Sequence, residues 1–194
     1  MSPSEADRAC LPHEEKGRPK KNILELTRHS LGEYRDMEKL PVLLLADNVR
    51  SMHNVGAFLR TCDAFRMAGV VMAGITPVPP HPLISKTALG AEDSVTWRHV
   101  DDAVAEARRL KDEGWTLCAL EQAHNSVRLD DFIPSLDCRY VIVAGNEVEG
   151  VSQEIVNIAD TVLEIPQEGV KHSLNVSVST GIALWHFYAS LSRG

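Results

Sequence analysis

The chain has 194 residues, 44% of them hydrophobic and 24% charged, which suits one soluble domain with a substantial core. No apolar run reaches the eighteen or so residues of a membrane span, and MSPSEADRAC lacks the pattern of a signal peptide. The formal net charge of -7 disfavours a polyanionic partner unless a local patch provides the contact.

Residues 1–40 carry eight Lys/Arg and eight Asp/Glu, so the remainder holds all the acidic excess. Residues 1–21 read as a polar arm in which Lys16, Arg18, Lys20 and Lys21 put four cations in six positions, either a solvated tail or a phosphate-touching arm. Residues 22–40 have loosely helical apolar spacing, which predicts an N-terminal helix closed by Pro41. From 41 to 194 strand and helix patterns alternate. VLLLAD (42–47) is a continuous apolar run, the mark of a strand buried on both faces. A helix is expected over 53–67, a strand over 70–75, a Pro-rich loop over 76–82 and a strand over 95–100. DDAVAEARRLKDEG (101–114) is a helix with Asp101 or Asp102 as N-cap and Gly114 at its end. WTLCALEQ, YVIVAG and TVLEIP supply three more strands; a short helix, VSQEIVNIAD, separates the last two, and a helix over 173–191 follows them. The fold class is therefore α/β, a mostly parallel sheet with helices on both faces. Four scattered cysteines with no C-x-x-C argue against a zinc site and fit reduced thiols in the cytoplasm.

Ligands of such sheets sit at the carboxyl ends of the strands, and three loops leaving those ends carry unusual residues. GNEVEG (145–150) gives close backbone approach at Gly145 and a carboxylate at Glu147. It lacks the middle glycine of G-x-G-x-x-G and the Lys-Ser/Thr of a Walker loop. In NVGAFLR (54–60) Asn54 stands where an N-cap would fall, and Arg60 points away from the helix's apolar face. In IPQEGVKHSLN (165–175) a hydroxyl, Ser173, and an amide, Asn175, precede an apolar helix. They can cap that helix, or orient a ligand without adding charge.

Together the three loops resemble the SpoU (TrmH-like) family of RNA ribose methyltransferases within the SPOUT class. Its pattern N-x-G-x-x-x-R matches Asn54, Gly56 and Arg60; G-x-E-x-x-G matches Gly145, Glu147 and Gly150. The third, I-P-x-x-G-x-x-x-S-L-N-V-S, matches Ile165, Pro166, Gly169, Ser173, Leu174, Asn175, Val176 and Ser177. Gln167 departs from the methionine more frequent there. The resemblance implies a C-terminal trefoil knot, which no pattern could show, with Val176 and Val178 anchoring it in the core. It implies S-adenosylmethionine as cofactor, held by Leu120, Glu121, Gly145, Asn146, Gly150, Ile165, Gln167, Ser173 and Leu174. It implies a homodimer, for which Trp185, Phe187 and Tyr188 of the last helix are interface candidates or plain core, and no metal.

By the same resemblance the reaction is methyl transfer to a ribose 2′-OH of RNA, tRNA being favoured slightly over rRNA. Arg60 is then the central catalytic residue, acting on the 2′-OH or clamping an RNA phosphate. A guanidinium keeps its proton so firmly that the clamp is easier to defend. Asn54 would orient the ribose or the arginine, and Glu147 would hold Arg60 or Asn175. His172 and His53 are alternative bases. RNA contacts are expected from Lys16, Arg18, Lys20, Lys21 and Arg60. Two competing readings are a non-catalytic RNA-binding or assembly protein on the same fold and an unrelated nucleotide-binding domain.

Overall fold

The apolar run ending in Asp47 forms the first strand, β1 (Leu40–Asp47), and every later strand joins its sheet in parallel. The structure, a computed structural model, describes residues 19–22, 25 and 29–192, which divide into two units, residues 1–30 and 31–194. In the first unit Lys20 and Lys21 are exposed. The Asn22 N–H donates to Glu25 Oε2 at 3.0 Å, and the Glu25 N–H to Asn22 Oδ1 at 3.1 Å. Such reciprocal bonds make a capping box.

The helix expected over 22–40 is shorter among the described residues. In the second unit α1 spans Leu31–Asp36, six residues, and buries only Tyr34. The Leu40 N–H already bonds the Arg66 carbonyl at 2.8 Å, which draws that end of the segment into the sheet. The second unit therefore starts before residue 41, and α1 belongs to it. Residues 23, 24 and 26–28 lie outside the described residues.

After β1 come α2 (Met52–Ala64) and β2 (Met67–Ala73). Two short helices, α3 (Pro82–Ala88) and α4 (Ala91–Ser94), occupy the stretch that follows the Pro-rich loop. Their buried residues are only Ile84, Ala88 and Ala91, too few for a visible helical stripe. Next are β3 (Trp97–Val100), α5 (Ala103–Asp112) and β4 (Trp115–Leu120). Asp102 caps α5 as expected, its Oδ1 accepting from the Val104 and Ala105 N–H groups. A two-residue strand, β5 (Val127–Arg128), and a 3₁₀ turn precede β6 (Arg139–Ala144), α6 (Gln153–Ile158), β7 (Thr161–Glu164) and α7 (Val176–Leu191).

The strand order is β3-β2-β1-β6-β4-β7-β5. Alternate residues of β1 feed opposite faces, as the two-residue period requires. Val42, Leu44 and Ala46 pack with Phe58, Ile84 and Phe187 of α2, α3 and α7. On the other face Leu45 packs with Leu110 and Ile155 of α5 and α6. Each fully buried side chain of this size stabilises the fold by about 1.5–3 kcal/mol. The adjacency of β1, β6, β4 and β7 brings their C-terminal loops to one mouth.

Candidate active site

Ser51 caps α2, its hydroxyl accepting from the Asn54 N–H at 3.4 Å. Asn54 is therefore not the cap; it lies one turn inside, buried, and its amide is free for other work. Gly56, one turn below the mouth, sits where a Cβ would fall 2.0 Å from Thr87 Oγ1 and 2.4 Å from the Ile84 carbonyl. The glycine lets α3 lie against α2.

The GNEVEG loop is held by its own backbone and by its neighbours. Asn146 and Gly150 exchange N–H···O bonds of 2.9 Å, a one-pair antiparallel bridge. A Cβ at Gly145 would stand 2.1 Å from Gly150 C and Val151 N, so no side chain fits there. Asn146 Oδ1 accepts from the Val148 N–H, and its Nδ2 donates to the Asn48 carbonyl, both at 2.8 Å. Glu121, at the end of β4, accepts from the Gln122 N–H at 2.8 Å and the Val151 N–H at 2.9 Å. Buried Asp47 accepts from the Ser152 N–H at 2.8 Å and fastens the far end of the loop.

Glu147 then reaches across to α2. Its Oε1 accepts from the Ser51 N–H at 3.0 Å and Asn54 Nδ2 at 2.8 Å, and its Oε2 from the Arg50 N–H at 2.9 Å. Burial pulls this carboxyl up, but the three donors outweigh it and leave it below the usual carboxylate range. With Asn54 Nδ2 committed, its Oδ1 faces Asn175 and accepts from Nδ2 at 3.4 Å. Asn175 is the N-cap of α7, its Oδ1 accepting from the Ser177 N–H at 2.8 Å and hydroxyl at 2.6 Å. Capping and site-lining thus coexist in one side chain. A line of hydrogen bonds runs from Glu147 through Asn54 to Asn175.

Beside this line opens a cavity of about 440 Å³, at the C-terminal ends of β4, β6 and β7. Leu120, Glu121 and Gln122 form one wall; Gly145, Asn146, Glu147 and Gly150 form the second. Ile165, Gln167, Ser173, Leu174 and Asn175 form the third. All nine residues expected to bind a cofactor line this one cavity. Its lining mixes backbone, small neutral groups and apolar side chains with the carboxylate residues Glu121, Glu147 and Glu149.

Arg60 does not line the cavity. It is exposed two turns into α2, and among the described residues its side chain has no hydrogen bond or ion pair. Glu147 does not hold it, because that carboxylate is fully engaged at the start of α2. His53 and His172 are exposed and outside the cavity; the His172 carbonyl accepts from Gln122 Nε2 at 3.0 Å. Lys16 and Arg18 lie outside the described residues. Val176 packs against the core, but Val178 is 50% exposed and anchors nothing there. Its place in the first turn of α7 turns it outward, and Thr180 takes the buried position. Phe187 is core, in contact with Phe132 and Tyr140, and Tyr188 stacks on Phe65 at 5.1 Å. Trp185 alone of the three is exposed, at 53%. Gln122 and the Asp47-Asn48 pair were not anticipated; their signal is position, directly at a strand's C-terminal end. Among the described residues no three potential metal ligands cluster.

The model of the SpoU rRNA Methylase family matches residues 41–185. The tRNA (guanosine(18)-2′-O)-methyltransferase of Aquifex aeolicus is 33% identical over 170 residues, 84% of this chain and 76% of that one. The 23S rRNA (guanosine-2′-O-)-methyltransferase RlmB of Shewanella oneidensis is 33% identical over 161 residues, 82% of this chain. The chain spans only 64% of that relative's length. Among solved structures, the AdoMet-bound rRNA methyltransferase of Sinorhizobium meliloti superposes with a TM-score of 0.73 at 26% identity, covering 81% of this chain and 60% of that one.

Proposed function

The chain belongs to the SpoU rRNA Methylase family, and from that premise we propose that it transfers a methyl group from S-adenosylmethionine to a ribose 2′-OH of RNA. The observation that carries the reading is the convergence of all three loops on one cavity edge, fixed by the Glu147–Asn54–Asn175 line.

The cavity suits the cofactor. Its volume falls in the range of small-ligand sites, and Gly145 lets the loop backbone that lines it close against Gly150 and Val151. When bound, S-adenosylmethionine supplies the methyl group as an electrophilic sulfonium that ends as a neutral thioether. Ser173 and Asn175 are neutral, so they do not hold back the loss of positive charge. Asn175 has one amide hydrogen on Asn54 and its oxygen on Ser177, which leaves its second N–H to position an incoming ribose oxygen. Glu147 acts through Asn54 as a positioning residue. Arg60, exposed on α2, clamps an RNA phosphate in this reading.

We favour tRNA over rRNA. The Aquifex relative, named as a tRNA enzyme, is 33% identical over 84% of this chain. We also propose a trefoil knot and a homodimer. A groove of about 500 Å³ between α7 and the segment after β5, with Ile133, Ile182 and Trp185 exposed along it, supports the dimer. Lys20 and Lys21, both exposed, keep the N-terminal segment a candidate RNA contact. No described helix is long and apolar enough to cross a membrane, and we place the enzyme in the cytoplasm with its RNA.

The test is transfer of radiolabelled methyl from S-adenosylmethionine to total tRNA and, separately, to rRNA, with Arg60→Ala alongside. Label in the tRNA pool, mapped to a ribose and lost in Arg60→Ala, is the expected result. No label in either pool despite cofactor binding overturns the catalytic reading.

A further inference from the structure

The site as described accounts for the cofactor and the ribose oxygen, and leaves open where the RNA strand runs. The rim of the mouth is electrically uneven. On the side of the GNEVEG and IPQEGVKHSLN loops Glu147, Glu149 and Glu168 are exposed, together with the cation Lys171, so acidic charge predominates there. On the α2 side the exposed charges are cationic. Arg50 stands immediately before the cap of α2, His53 is in the first turn, and Arg60 follows seven residues on. Seven residues are nearly two full turns, so His53 and Arg60 share one stripe, about 10 Å apart along the axis. Lys86 joins them from α3: its neighbour Thr87 donates a hydrogen bond to the His53 carbonyl at 3.1 Å.

Like Arg66, Arg108 and Lys171, and unlike several other cations of the same unit, these have no partner of their own among the described residues; what sets them apart is their place on α2 and α3. Arg98 and Arg109 are bound to Glu106, Arg128 to Asp130, and Arg139 to the Glu113 carbonyl. The side chains of Arg50, Arg60 and Lys86 have no hydrogen bond or ion pair among the described residues. Arg50 is tied through its backbone alone, by the N–H that Glu147 accepts. Its stem is thereby fixed at the mouth while its guanidinium stays available. In a chain of net charge -7, an unneutralised cationic row near the cofactor cavity has one natural complement, a polyanion.

We propose that the RNA strand carrying the target ribose runs along the exposed stripe of α2, with Arg50 and Lys86 holding phosphates that flank the nucleotide and His53 donating a hydrogen bond to the same backbone. This rests on the ribose-methylation reading for the identity of the polyanion. Such contacts position the strand without reading its sequence. They serve binding, so their loss shows in RNA affinity and KM and not in cofactor affinity or in kcat at saturating RNA.

The experiment compares the full-length wild type, the double variant Arg50→Gln/Lys86→Gln, and a control, Arg108→Gln, which removes an exposed cation from α5. Binding of fluorescently labelled total tRNA is followed from about 50 to 200 mM salt, together with KM, kcat and cofactor affinity. The double variant is expected to bind at least tenfold more weakly, with the slope of log affinity against log salt reduced by about 1.4, two cations at about 0.7 each for single-stranded contacts. Its cofactor affinity and kcat stay within twofold of wild type. An unchanged affinity and slope in the double variant, or an equal loss in Arg108→Gln, overturns the proposal. The two readings fail separately. Wild type that binds tRNA through these residues but transfers no methyl refutes the enzymatic assignment and leaves the RNA path standing. Methylation that survives the double variant with unaltered KM refutes the path alone.

Discussion

Glu147→Gln replaces a carboxylate with an isosteric amide at the junction of three loops. The carboxylate accepts three hydrogen bonds, two on Oε1 and one on Oε2. An amide can keep its oxygen toward Ser51 and Asn54, but its NH₂ then faces the Arg50 N–H, donor against donor. One charge-assisted bond of about 1.5–3 kcal/mol is lost outright, and the other two fall to neutral strength. Glu147 is solvent-exposed, so water takes up part of the deficit, and the net destabilisation is about 2 kcal/mol. Urea unfolding followed by tryptophan fluorescence measures it. A double-mutant cycle with Asn54→Ala isolates the 2.8 Å bond and is expected to give a coupling of about 1 kcal/mol. The carboxyl is held below its ordinary value in the fold, so its contribution is present above the unfolded value of about 4.3 and is lost as pH falls through the lower folded value. The wild type therefore loses this increment in acid, and Glu147→Gln shows a flatter profile in the same window. A variant within about 0.3 kcal/mol of wild type, with no coupling to Asn54, would show that the line of hydrogen bonds has no energetic weight.

Three further outcomes follow from the geometry. Gly145→Ala places a methyl 2.1 Å from backbone atoms of Gly150 and Val151; calorimetry should show at least tenfold weaker cofactor binding, while wild-type affinity would mean the loop is not part of the pocket. Gly56→Ala forces α2 from α3 against the Ile84 carbonyl at 2.4 Å, and should lower the urea midpoint by the equivalent of about 1–3 kcal/mol. The Thr180 hydroxyl is buried with no partner among the described residues, so Thr180→Val should leave stability unchanged or raise it by about 1 kcal/mol; a clear loss would reveal a hidden partner.

The sheet was legible because VLLLA of β1 and YVIVA of β6 are uninterrupted apolar runs, as strands covered on both faces require. The cavity wall was legible because glycines and small polar residues at strand ends have few other uses. Three things were not. α3 and α4 bury too little to leave a periodic trace, and β5 is only two residues long. The cap of α2 fell on Ser51 in place of Asn54, since both residue types cap equally well and only the partner across the mouth, Glu147, decides between them. Arg60 carried no sign that Glu147 would be spent elsewhere, because bonds between positions 93 to 97 residues apart leave no local pattern.

Those separations have a temporal consequence. The line that frames the mouth joins residue 54 to residue 147 and to residue 175, so its three members leave the ribosome far apart in time. β1 must wait for β6 before it gains its central neighbour, and the third cavity wall arrives only with residues 165–175. A nascent chain ending at residue 164 has all seven described strands and no third cavity wall. Long-range pairing of this kind is slow and exposes unpaired strand edges while it waits. Cofactor added during synthesis would therefore find no closed pocket until residues 165–175 have emerged, which makes ligand capture a late event of folding.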